Sequence, residues 1–368
     1  MVDLAKTVKK GSTAVLVGTK KGAFLFHSPD RGRWSRIGPY FEGTPVYHVM
    51  LDPRDGRTAY AGATSEHWGP TVHRARIGGD FARAKEAPKF PEGANLAVTR
   101  IWHIEPGHPD EDGTLYVGVE PAGLFRSDDR GDHWRSFDAL NLHPWRGGWR
   151  PGNGGLCLHS VLVDPRDARH LLVGISAVGA WETRDAGATW TPENRGVRAD
   201  FLPEKYPETG QCVHKLAWDA AADGSVFQQN HCGMYYRGAG GGRWTEVSAG
   251  LPSTFGFPIA AHPHRRKTAY IVPLVGDFNR VPPKGQLAVW RTGNAGRTWR
   301  RLTRGLPGPG AYMGVLREGL AVDRGDPVGV YAGTNTGELY GSRDEGESWR
   351  TIAAHLPPIL SVSAGEVR

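Results

Sequence analysis

Five tryptophans close copies of one short motif, Ser/Thr-x-Asp-x-Gly-x-x-Trp or a near variant, at an almost constant interval. The copies are SPDRGRW (Ser28 to Trp34), SDDRGDHW (Ser127 to Trp134), TRDAGATW (Thr183 to Trp190), TGNAGRTW (Thr292 to Trp299) and SRDEGESW (Ser342 to Trp349), with a degenerate RGAGGGRW ending at Trp244. Successive tryptophans are separated by 100, 56, 54, 55 and 50 residues, so the first step holds two periods and one missing copy. A period near fifty residues implies a repeat architecture, in which each unit completes its core only against its neighbours.

Each unit reads as β structure. Residues 158–193 contain LHSVLVDPRD, HLLVGIS and GAWETRDAGATWTPE, short β-branched and aromatic runs divided by Asp-Pro and Gly turn signals. No stretch sustains a helical period. The missing copy is recoverable from YHVMLDPRDGRTAYAGAT and HRARIGGDF, which place Phe81 where a Trp is expected. Unit ends at Trp34, Phe81, Trp134, Trp190, Trp244, Trp299 and Trp349 count seven. The expected fold is therefore all-β, a seven-bladed β-propeller of four-stranded blades formed by the whole chain as one domain. The first unit starts at TAVLVGT without an opening strand, and the tail PPILSVSAG has no unit after it. The tail is expected to supply the innermost strand of the first blade.

The motif's aspartates belong to turns. Asp can accept backbone N–H bonds, Gly permits positive φ, and the Ser/Thr hydroxyl adds a local bond. The Trp is expected to fold over the turn as an apolar lid. On these residues the chain resembles the Asp-box, or bacterial-neuraminidase-repeat, propellers. That group includes sialidases, sortilin-type domains, xyloglucanases and a photosystem assembly factor. The resemblance implies the propeller fold over nearly the whole chain, but it does not extend to the sialidase catalytic set. Seven units are present instead of six, and the nearest string to Arg-Ile-Pro is Arg36-Ile37-Gly38-Pro39 at a blade edge.

Chemistry is expected at the channel mouth where innermost strands begin and second strands end. Aligning blades by Asp52, His108, Asp164, Asp219, His262 and Asp323 puts Tyr47, His103, His159, His214, Phe257 and Glu318 at one level, five residues earlier. Three histidines in consecutive blades suggest a divalent transition metal, Zn, Cu or Fe, on His103, His159 and His214, with His231 as a further ligand or support. Glu120 and Glu318 are the candidate acid–base carboxylates. Cys157 and Cys212, two residues before their histidines, are expected to pack between blades, with thiolate ligation as the alternative. The alternative for the histidines is hydrogen bonding across the channel without metal.

Two long connections, residues 138–155 and 193–211, should lie over this mouth. Trp145, Arg146, Trp149 and Arg150 offer stacking faces and cations for an anionic or ring-bearing ligand. His67 and Trp68 from the second blade, with Arg100 and Arg317 at innermost strand starts, complete the expected binding set. The segment LVGDFNRVPPKGQ in the sixth blade also faces the mouth.

Composition narrows the classes. The net charge of +7 is spread without a run of five basic residues, which argues against nucleic acid. Three cysteines do not make a disulfide scaffold, and MVDLAKTVKKGS has no apolar run for a signal or anchor. A cytoplasmic protein without membrane attachment is expected. Three functions follow: a metal-dependent hydrolase, lyase or oxygenase acting on a small polar or anionic molecule; a glycoside hydrolase using a pair among Glu120, Glu318, Glu105 and Asp277 on a sugar-like ligand; or a propeller that binds a protein partner without catalysis.

Overall fold

In the computed structural model, which describes residues 8–368, the chain folds into seven four-stranded antiparallel sheets. Each blade after the first runs outward in chain order. The fourth, for instance, comprises Leu158–Asp164, Asp167–Ile175, Gly179–Thr183 and Thr191–Pro192. The first blade is composite: Ile359–Glu366 pairs antiparallel with Thr13–Thr19 as its innermost strand. This closing strand also meets the seventh blade, where Val362 N–H donates to the Glu318 carbonyl at 2.7 Å. The ring is sewn shut as the strand count required. Among the described residues no helix is long and apolar enough to cross a membrane.

The Asp-box turns have the expected wiring. In the fourth blade, Thr183 Oγ1 donates to Asp185 at 2.8 Å and accepts from the Gly187 N–H at 2.9 Å, while Asp185 accepts from the Thr189 N–H at 2.9 Å. Ala186 and Gly187 both take positive φ, which is why Gly is needed there. Bonds to Thr189 and Thr183 hold the Asp185 carboxyl down at about 2. The tryptophans do more than cover their turns. Trp244 Nε1 donates to the Glu193 carbonyl and Trp299 Nε1 to the Val247 carbonyl, each in the preceding blade. Trp34 packs edge-on against Tyr331 of the seventh blade. The indoles of Trp134 and Trp349 do lie against the glycines of their own turns, and those of Trp244 and Trp299 also stitch their blades to the one before.

The core is a series of wedges between blades. Tyr116 and Leu124 of the third blade pack with Leu158, Val173, Trp181 and Trp190 of the fourth. Close approach depends on small residues: a Cβ added at Gly118 would lie 2.2 Å from the Leu158 carbonyl oxygen. Innermost strands carry a bulge near their start, between Val46 and His48, Ile101 and His103, Leu158 and Ser160, Val213 and Lys215, and Gly256 and Ile259. Such a bulge turns one extra side chain out of alternation.

Candidate functional site at the channel mouth

The two long connections do lie over one mouth of the ring, where with the sixth-blade loop they enclose a cavity of about 560 Å³. Residues 148–154, Phe201, Leu202, Cys212, His214, His231, Phe257, Asp277, Phe278, Arg280 and Arg317 line it. Trp149, Phe201, Phe257 and Phe278 give the walls their aromatic surface. Trp149 is buried against Trp181, while Phe278 is 92% exposed at the rim.

Arg317 is the buried cation of this cavity, 7% exposed. Its guanidinium lies over Trp102 at 5.5 Å and Phe257 at 5.7 Å. Its hydrogen bonds go to neutral atoms, Cys157 Sγ at 3.3 Å and Ser176 Oγ at 3.1 Å, and Nε has no partner. The carboxylates of the region are already engaged. Asp277 bonds Arg280 and Asn153, Glu120 accepts from Arg100 and from Trp102 Nε1, and both oxygens of Glu318 sit 2.6 Å from Lys215 Nζ.

The histidines do not converge as expected. Neither nitrogen of His159 is free: Nδ1 bonds the Ser160 hydroxyl at 3.0 Å, and Nε2 bonds the Val213 carbonyl of the fifth blade at 2.9 Å. His214 Nδ1 bonds the Gly256 carbonyl of the sixth blade at 2.6 Å. His48, which the alignment did not select, accepts the Ile104 N–H of the third blade at 3.2 Å. Burial first, then Arg317, holds the His159 and His214 rings well below the ordinary imidazole range, so both are neutral. These imidazoles fasten innermost strands to one another through bonds that run between neighbouring blades and not across the channel.

His103 stands elsewhere, in the channel. Its ring faces Glu105 at 3.1 Å and Glu318 at 3.6 Å, beside His48. Burial and Lys215 lower its proton affinity, but the two carboxylates outweigh them and the pKa is raised. Burial pushes the Glu318 carboxyl up, yet Lys215 and the imidazoles win and hold it well below the usual range. Lys215, His103, Glu318 and Glu105 thus form one cluster of ion pairs and hydrogen bonds, contributed by the fifth, third and seventh blades. Glu318, expected as a proton carrier, is salt-bridged to Lys215 and does not line the cavity. Glu120 is likewise held by Arg100 and Trp102 and does not line the cavity.

The remaining expected residues divide. Trp149, Arg150, His214, His231 and Arg317 line the cavity. Trp145 is 44% exposed and packs edge-on against Trp181. Arg146 turns inward over Phe90 and Trp149, where burial lowers its pKa to about 10. His67 is exposed and Trp68 packs on His73 in the wedge between the first two blades, so neither reaches the cavity. Arg100 pairs with Glu120 over Tyr47. The alignment passed over Lys215 and His48, although each directly follows a selected position.

One group of potential metal donors does open on the cavity. Cys212, His214 and His231 offer ligand atoms that all lie within 4.8 Å of one another. His231 contacts Phe201, His214 and Phe255 through its ring and makes no hydrogen bond to the protein through either nitrogen. Burial pushes the Cys212 thiol up to about 11 in the metal-free protein.

No protein-family model matches the sequence, and no curated protein matches it in sequence. Solved structures match in fold. A GH74 xyloglucanase from Xanthomonas campestris aligns over 97% of this chain with a TM-score of 0.66 at 18% identity. An ancestral GH74 enzyme aligns over 84% with a TM-score of 0.56 at 16% identity. The chain spans 52% of the first protein and 38% of the second. At these identities the likeness is one of propeller fold.

Proposed function

We propose that the channel-mouth cavity is a site for a small ring-bearing anion, a carboxylate or phosphate ester, with Arg317 holding the anionic group and the aromatic walls holding the body. The observation that carries this reading is the Arg317 guanidinium, buried with neutral partners and an orphan Nε. A buried charge lacking a counter-ion costs several kcal/mol, and a ligand anion supplies the missing half of the pair. Phe257 and Phe201 would stack on the ligand ring. The ligand becomes a substrate if a Lewis acid stands beside Arg317.

A second reading, hydrolysis of a sugar-like ligand, takes its support from the GH74 folds and from Asp277, the cavity-lining carboxylate among the described residues. A glycosidase needs two carboxylates flanking the bond. Here Glu120 would have to leave Arg100 and Trp102 to become the second.

The test is a thermal-shift and calorimetric screen of aromatic and sugar carboxylates, phosphate esters and neutral oligosaccharides, on the wild type and Arg317→Met. Anions that stabilise the wild type and not the variant support the first reading. Stabilisation by neutral oligosaccharides alone would replace it with the second.

A further inference from the structure

We infer that Cys212, His214 and His231 form a metal site, holding a borderline-soft divalent ion such as Zn²⁺ through one thiolate and two imidazoles, with the fourth position open to the cavity. The three donors come from two paired strand ends: Cys212 immediately precedes Val213–Trp218, and His231 follows Val226–Asn230. The backbone N–H of His231 donates to the Cys212 carbonyl at 2.9 Å, which sets the two side chains side by side. Their ligand atoms and that of His214 fall within 4.8 Å of one another, so small side-chain rotations would bring them to the separations of roughly 3.5 Å that a tetrahedral ion with Zn–S and Zn–N lengths of about 2.0–2.3 Å requires.

The orientation of His214 has the form expected of a ligand. Gly256 O can only accept, so Nδ1 carries the proton and donates to it. That fixes the tautomer with Nε2 as a free lone pair, the arrangement in which a carbonyl orients a metal-bound imidazole. His231 has both ring nitrogens free of protein partners and lines the cavity. Gly152, opposite Cys212, has no Cβ; one added there would approach Sγ to 3.8 Å.

Charge also fits. Binding would displace the Cys212 thiol proton to solvent, and the thiolate would cancel one charge of the ion, leaving a net +1 near Arg317. Together these two cations attract an anion, which would supply the fourth ligand. The latter step rests on the anion reading above; the three-donor site does not. The other donor group, His48, His103 and Glu318, lacks this fit because the Lys215 ammonium already occupies both carboxylate oxygens.

Chelator-treated protein titrated with Co²⁺ tests the site. One equivalent should bind with the intense visible absorption of four-coordinate cobalt and a sulfur-to-cobalt charge-transfer band. Cys212→Ser and His231→Gln, each shown folded by circular dichroism, should weaken binding by more than about 100-fold, beyond the effect usual for residues that merely orient a ligand. Absence of the sulfur band in the wild type, or wild-type affinity in either folded variant, overturns the proposal. Anion affinity is measured separately on the same wild-type protein. Cobalt binding without anion affinity therefore leaves the metal site standing and removes the ligand reading, and the converse result does the opposite.

Discussion

His159 should make the ring acid-labile by a calculable amount. It is fully buried, and its neutral form uses both nitrogens: Nε2–H donates to the Val213 carbonyl, and Nδ1 accepts from the Ser160 hydroxyl. Ser160 Oγ in turn accepts the Leu216 N–H at 3.3 Å, so one imidazole and one hydroxyl tie the fourth blade to the fifth at two points. The folded pKa lies well below the ordinary 6.5. Because it is depressed, the unfolded chain takes up the proton first. The stability contribution is full above about pH 6.5 and is lost as pH falls toward the folded value. Between pH 7.5 and 5.5 the loss is about 1.4 kcal/mol, the free energy of one pKa unit, since only the lower half of that interval lies below the unfolded pKa. The assay is urea denaturation of wild type and His159→Gln at pH 7.5, 6.5 and 5.5. The variant should be less stable at pH 7.5, and the gap should shrink by about 1.4 kcal/mol at pH 5.5. A gap independent of pH would mean that the ring titrates in the fold as it does in the unfolded chain, and a gap that widens at pH 5.5 would mean that it is protonated in the fold; either result would refute the bridging tautomer.

Glu318→Gln should cost about 3–5 kcal/mol by stranding the largely covered Lys215 ammonium, and combining it with Lys215→Met, measured beside Lys215→Met alone, should recover part of that loss. Strict additivity in the denaturation cycle would remove the pairing argument. Gly118→Ala should destabilise by about 3 kcal/mol, the upper end for overpacking, because the new Cβ meets the Leu158 backbone oxygen. A measured loss below about 1 kcal/mol would show that the blades can part there. Arg317→Met should leave ligand-free stability unchanged or raise it, since it removes a buried charge without a counter-ion. A loss of about 3 kcal/mol or more in the absence of ligand would show that the guanidinium is a structural element.

The fold was legible because its signals are local and repeated: the turn aspartate recurs in four blades, with Asn294 in its place in a fifth, and a tryptophan closes the turn in all but the second. The site was only partly legible because it depends on register across blades. In the structure, the N–H that closes the first inner loop belongs to Asp52, Asp219, His262 and Asp323, and in the third blade to Gly107, not His108. The third blade is therefore displaced by one residue in the sequence alignment. Trp102, not His103, matches Tyr47, whose ring it meets at 5.2 Å, while His103 lies against His48 at 4.5 Å. Each bulge adds a second ambiguity, because it breaks the alternation from which facing is inferred. No local motif reveals either displacement, and one residue is enough to move a side chain from one face to another.

The same shift explains why the chemistry separates along the channel. Residues at the bulge, His159 and His214, reach sideways to the next blade's carbonyls. Residues just after it, His48, His103 and Lys215, reach inward and meet Glu318. In the inward set the Lys215 ammonium is paired with Glu318, whereas the mouth retains Arg317 without a carboxylate and three potential metal donors without a shared partner. An ion cluster paired within the chain and an unpaired cation within the same channel are energetically distinct: the first is complete within the chain, and the second is what the proposed ligand would complete. On that imbalance, and not on the number of histidines, the functional reading rests.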